Sequence, residues 1–213
     1  MLGSPLYLST DSEVLVHDLR PSEIDQVVAV HLAAFPGFFL SRMGSGFLRQ
    51  YYMSTFRYAG AIMLAAAHGE TVVGFVSGFL APSRFYREMR SRWYRYLPPV
   101  LSAIARQPRL LATVASNVLR VRRAATDPED PRHCELASIA VLPQARGSGL
   151  GRCLALAFLD RAWELGATRV RLTTDANDNS AANRFYQSLG FRLERAFVAR
   201  DTRLMNEYIL PRP

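Results

Sequence analysis

A chain of 213 residues, about half of them apolar, can bury the core of one large domain. All 26 basic residues are arginine, which removes Schiff-base, P-loop and general-base lysine chemistry. The net charge of +8 is concentrated, because ten arginines from Arg84 to Arg123 face one acid, Glu88; the remainder is near neutral, which argues against nucleic acid as a partner.

No apolar run reaches the roughly 18 residues of a membrane span. The first twenty residues lack a basic segment followed by an apolar one, so a secretory signal is not expected and a cytoplasmic location is. Cys134 and Cys153 are far apart, without CxxC spacing or a histidine cluster, which points to buried thiols rather than a metal site or a disulfide.

In chain order, residues 13–19 (EVLVHDL) alternate as a first strand, and Ser22 is the candidate N-cap of a helix over IDQVVAVHLAAF. A second helix is predicted over 44–56. Residues 61–80 form two strands joined at His68, Gly69 and Glu70, a hairpin with its turn glycine in place. Residues 81–127 break this pattern: four prolines cut an arginine- and aromatic-rich stretch into two or three helices, an insertion within a single domain over 1–213. Strand 134–142, a glycine loop, helix 150–166, strand 168–174, helix 180–190 and strands 191–200 and 202–210 follow. An α/β fold with a mixed, mostly antiparallel sheet of about seven strands and helices on both faces is expected. The last strand, 202–210, is expected to lie exposed and to offer a pairing edge for a homodimer.

The glycine loop, QARGSGLGRC at 144–153, joins a strand to a helix, where free amides and the helix dipole favour an anion. GK[ST] is absent, so it is not a P-loop. Asp175 ends the next strand where a ribose-binding acid of a dinucleotide fold would stand, but Arg152 takes the place of the third glycine and too little chain follows for a second half-sheet.

Gln144-Ala-Arg-Gly-Ser-Gly fits the pattern [Q/R]xxGx[G/A]. Thirty residues on, NSAANRFYQSLGF matches NxxAxxxYxxxGF at Asn179, Ala182, Tyr186, Gly190 and Phe191. With both motifs in this order, the chain resembles the Gcn5-related N-acetyltransferase (GNAT) family, over 134–210 by motif and over 13–80 by its sequence of elements. The resemblance implies acetyl-CoA as cosubstrate and acetyl transfer to a primary amine of a small molecule, an amino sugar or related metabolite favoured, by direct attack through a tetrahedral intermediate. A protein N-terminal or lysine acetyltransferase is one alternative; a non-catalytic acyl-CoA-binding or membrane-associated module is another.

The resemblance assigns Ile139, Ala140 and Val141 to backbone pairing with the pantetheine arm. It assigns Gln144, Arg146, Gly147, Ser148, Gly149, Leu150, Gly151 and Arg152 to the pyrophosphate loop, whose glycines leave no Cβ in the way of a phosphate. Asn179 is a pantetheine contact, a helix N-cap, or both. Tyr186 is the implied acid for the departing thiolate, its alternative being a core aromatic. Glu135 lies six residues before Val141, the offset of a general-base glutamate in one branch of the family. Regular alternation puts it on one face with Ala137, Ile139 and Val141; a solvated glutamate, with water serving the amine, is the competing reading. Phe35, Phe38 and Phe39 are candidates to line an acceptor pocket. The segment 84–123, with apolar residues at helical spacing between arginines, is expected to contact an anionic ligand or a membrane surface, or to form a solvated lid. The absence of lysine fits a GC-rich bacterial genome.

Overall fold

Two faces of one sheet carry the helices. In the computed structural model, residues 14–112, 114–115, 118, 130–177, 179–199 and 203–213 are described; Arg120, Arg122 and Arg123 lie outside them. The strands are β1 (Val14–Asp18), β2 (Ala61–His68), β3 (Thr71–Leu80), β4 (His133–Val141), β5 (Arg169–Asp175), β6 (Arg192–Val198) and β7 (Leu204–Pro211). They form a seven-stranded sheet in the order β1-β2-β3-β4-β5-β7-β6, antiparallel at every junction except the parallel pair β4–β5. The mixed, mostly antiparallel sheet expected from the sequence is the sheet observed. Strand β7 is not an edge, however. It sits between β5 and β6, leaving β6 as the outer strand, because strand alternation specifies faces and not neighbours.

The helices are α1 (Ile24–Ala34), α2 (Phe39–Met43), α3 (Ser45–Phe56), α4 (Pro82–Ser91), α5 (Leu97–Arg106), α6 (Leu150–Glu164) and α7 (Ser180–Ser188). Helix α6 places Leu150, Leu154, Phe158 and Ala162 four residues apart, a straight apolar stripe. The stripe covers one sheet face, meeting Val76, Leu136, Val170 and Leu172, and α7 joins the same layer through Tyr186. On the other face, α1, α3 and α4 bury Val27, Leu48, Tyr52 and Phe85 against Phe75 and Phe79 of β3. Strands β2 and β3 are therefore covered on both sides, which is why they read as continuous apolar runs.

Ser22 does not cap α1. The chain passes through a short 3-10 turn, Pro21–Glu23, and Glu23 Oε2 accepts the Arg20 amide at 2.8 Å while Oε1 meets His17 Nε2 at 2.9 Å. A carboxylate reaching back to its own turn satisfies a helix-start donor that a serine would otherwise take.

After β3 the chain turns through Ala81 at φ 52°, a left-handed conformation that costs a residue with a Cβ about 1–2 kcal/mol. The Tyr58 hydroxyl bridges the turn, 2.9 Å from the Leu80 carbonyl and 3.2 Å from that of Ala81. This fixes the entry of α4. A 3-10 run, Trp93–Tyr96, then leads into α5, which packs on α2 and α3 through Ala103, Val100, Met43 and Phe47.

Candidate functional site

The parallel pairing of β4 with β5 ends early. Only His133, Cys134 and Glu135 pair with β5, at Arg169, Val170 and Arg171, whereas β5 stays paired with β7 to its end. From Leu136 to Val141, β4 pairs on its β3 side alone, so the sheet forks and the outer backbone edge of β4 is left for another extended chain.

Within the fork, β4 carries a bulge. Ser138 pairs with Ser77 and Leu136 with Gly78, leaving Ala137 as the extra residue. The bulge resets the alternation. Cys134, Leu136, Ile139 and Val141 pack toward α6, and Ala137 and Ala140 pack toward α1 and α3. Glu135 also faces that second layer, where the Tyr86 hydroxyl of α4 donates to its Oε1 at 2.9 Å. The expected common face of Glu135 with Ile139 and Val141 is thus corrected: the bulge puts them on opposite faces, and only Ala137 stays with Glu135.

The loop after β4 leads into α6 through a short turn and two glycines. Residues 143–145, including the exposed Gln144, form one 3-10 turn; Gly147 (φ 84°) and Gly149 (φ 80°) then take left-handed conformations that favour glycine. A Cβ at either position meets nothing within 4 Å, so it is the backbone conformation, not space, that calls for glycine in the unliganded chain. The amides of Gly147, Ser148, Gly149, Leu150 and Gly151 find no backbone partner among the described residues, whereas those of Arg152 and Cys153 bond to the Gly149 carbonyl. Five consecutive amides without a backbone partner thus lie at the start of α6 between the exposed Arg146 and Arg152, an arrangement that can cradle an anion. The Arg152 side chain reaches the Ser188 carbonyl at the end of α7 at 3.5 Å, and a Cβ on Gly151 would come within 4.0 Å of Phe185 and 3.9 Å of Val141. The open end of β4, the cradle and α7 therefore converge.

Tyr186 projects from α7 into the layer under the fork, its ring 6.0 Å from Phe191 and 6.3 Å from Tyr208. Burial pushes its phenol up to about 12. Its hydroxyl has no hydrogen-bond partner among the described residues. Asn179 occupies the N-cap position of α7 without capping it; its Nδ2 donates instead to Thr174 Oγ1 at 2.7 Å.

Several contributors have no signal in the sequence. Asn183 Nδ2 donates to the carbonyls of Asp175 (3.0 Å) and Asn179 (2.8 Å), and its Oδ1 accepts from Asn206 (2.9 Å) and Tyr208 (2.8 Å). All its capacity is used to hold α7 against β5 and β7, and with them the height of Tyr186. Tyr86 lies far from Glu135 in sequence, inside the arginine-rich stretch.

On the far side of β4, His31 Nδ1 lies 2.6 Å from the Tyr52 hydroxyl, which also hydrogen-bonds Ser138 at the bulge. Phe35 stacks edge-on against His31 at 4.9 Å and Phe38 follows at 5.6 Å, half-exposed, whereas Phe39 packs into a separate cluster with Met43 and Leu110. Phe35 thus lies in the layer on this side of β4, Phe38 is exposed beside it, and Phe39 is partly buried elsewhere.

Burial lowers the His31 imidazole to about 4 from its ordinary 6.5. The native state thus holds it neutral while an unfolded chain takes up a proton below about 6.5. Its contribution is present above that pH and is lost as the pH falls toward 4, about 3 kcal/mol in all. Urea titrations over this range should show stability falling in the native protein, and a flatter profile in His31→Gln; equal slopes would assign the loss elsewhere.

Residues 29–191 match the model of the acetyltransferase (GNAT) family. The chain belongs to this family. Relatives in sequence include a mycothiol acetyltransferase of Kocuria rhizophila, 43% identical over 63 residues, which are 30% of this chain and 20% of that protein. The chain thus spans about a fifth of the length of the curated relative it matches. Among solved structures, a GNAT-family protein of Desulfovibrio desulfuricans superposes with a TM-score of 0.63 at 16% identity, over 93% of this chain and 99% of the other. The paiA N-acetyltransferase of Thermoplasma acidophilum, solved in complex with coenzyme A, gives 0.55 at 12% identity, over 92% and 98%. Such low identities speak to the fold alone.

Proposed function

We propose that the chain transfers an acetyl group from acetyl-CoA to a primary amine of a small molecule. The observation that supports this most is the fork between β4 and β5 opening beside five free amides, which suits an extended pantetheine arm ending in a pyrophosphate. In this reading Gly147 to Gly151, with Arg146 and Arg152, hold the pyrophosphate, and Ile139, Ala140 and Val141 pair with the arm. The thioester then lies between Glu135 and Tyr186. Bound acetyl-CoA supplies the activated acyl group.

Glu135 takes a proton from the incoming ammonium, directly or through a water, through Oε2, because Oε1 already accepts from Tyr86. The freed amine attacks the thioester carbon, an N–C bond forms, and the developing oxyanion is met by a β4 backbone amide. Collapse breaks the C–S bond: Tyr186 gives its hydroxyl proton to the departing sulfur, and its oxygen regains one through water from the attacking nitrogen, which ends as a neutral amide. A phenol raised to about 12 stays protonated at neutral pH, so the donor is always loaded. A small acceptor is favoured by the relatives named for acetylation in mycothiol, a small molecule.

Thiol release from acetyl-CoA should be followed with a panel of amino sugars, other small amines, and peptides with free N-termini or lysines. Release with a small amine is the expected outcome. Release with peptides alone would move the assignment to protein acetylation, and coenzyme A binding without turnover on any amine would make the chain a binding module.

A further inference from the structure

The segment between α4 and the described end of the arginine-rich stretch is unlike the rest of the surface. Trp93 is 60% exposed, Tyr94 55%, Leu101 61% and Leu111 60%. Trp93, Leu97 and Leu101 recur every fourth residue along one unbroken helical run, the 3-10 turn 93–96 passing directly into α5. The inner side of that run is already used, by Tyr96 against Phe47 and by Ala103 against Met43. The exposed apolar residues therefore contribute nothing to the core of this chain.

The charge around them is equally unspent. Several arginines elsewhere pair with acids: Arg49 with Asp25, Arg161 with Asp18 and Glu164, Arg195 with Glu207. Here the single acid, Glu88, is taken by Arg84. Arg87, Arg90, Arg92, Arg95, Arg106 and Arg109 are exposed and form no ion pair among the described residues.

We propose that this surface docks on an anionic lipid bilayer, with Trp93 and Tyr94 at headgroup depth, Leu97 and Leu101 entering the acyl boundary, and the arginines on lipid phosphates. Such an interface uses both features at once: tryptophan and tyrosine favour the headgroup zone, aliphatic side chains gain by leaving water, and guanidinium binds phosphate oxygens in a bidentate fork. A second copy on the same patch would bring unpaired arginines against one another, which opposes pairing. Nucleic acid would engage the arginines and the aromatics but has no use for three exposed leucines, which neither stack on bases nor hydrogen-bond. The surface is contiguous with α4, whose Tyr86 meets Glu135, so docking would set the α4 side of the fork close to the lipid. The inference does not depend on the acetyl transfer proposed above.

The full chain should sediment with vesicles of phosphatidylcholine containing phosphatidylglycerol and not with phosphatidylcholine alone. Its tryptophan emission should shift to shorter wavelength on binding, and the shift should vanish in Trp93→Phe. Leu101→Asp, at an exposed position and so with unchanged circular dichroism, should weaken vesicle binding by about tenfold or more. Absence of sedimentation with the anionic vesicles would overturn the proposal, as would binding insensitive to Leu101→Asp. So would a stable dimer in light scattering that Leu101→Asp dissociates, or retention of a DNA duplex with no affinity for the vesicles.

Discussion

Replacing Gly78 by alanine should destabilise the protein by about 3 kcal/mol, the upper part of the usual range for overpacking, and should do so without any change at an exposed surface. A Cβ on Gly78 would run into the Glu135 backbone carbonyl and would lie 2.6 Å from the Phe158 ring. The ring of Phe158 can be trimmed and the carbonyl cannot move without breaking the pairing of Gly78 with Leu136. Phe158→Leu in the Gly78→Ala background should therefore recover only part of the loss, as read from urea midpoints. Full recovery would show that the ring alone makes the site tight. The same close approach seats the bulge that separates the faces of Glu135 and Ile139, so Gly78→Ala should also disturb the fork beyond its cost in stability.

Tyr186→Phe should lower turnover of acetyl-CoA by about 10²-fold, the low end for loss of a positioned proton donor, with little change in KM for acetyl-CoA. The hydroxyl has no partner among the described residues and the ring packs against Phe191 and Tyr208, so the variant should keep its stability. The sign of the pH effect follows from burial. With the phenol held up near 12, this group adds no loss of activity on the alkaline side below that pH, and Tyr186→Phe should keep the shape of the native pH profile. An unchanged kcat would transfer the donor role to solvent or to another group.

Legibility in the sequence tracked how locally each feature is specified. The cradle is set by consecutive residues: Gly147 and Gly149 adopt conformations that few other residues tolerate, and the α6 stripe follows within one turn. Asn179 to Tyr186 spans two turns of one helix, so its spacing could be read directly. The faces of β4 could not, because a bulge is invisible to a two-residue period; it lies opposite Gly78, where β3 has no room for a side chain between Glu135 and Phe158 of two other elements. Tyr86 escaped for a similar reason. Its neighbours in sequence advertise charge, while its own hydroxyl reaches a strand that follows much later in the chain.

The family resemblance, the order of strands and helices along the chain, the glycine loop and the position of Tyr186 on its helix are carried by short contiguous stretches and so are legible in the sequence. That β7 lies inside the sheet, that β4 leaves β5 after Glu135, that Glu135 is held by Tyr86 on the face away from Val141, and that Trp93 and Leu101 stay outside the core are visible in three dimensions alone. Each of these depends on which distant element comes to lie beside a given strand or helix, and that choice is made by burial of both sheet faces together, not by any one segment.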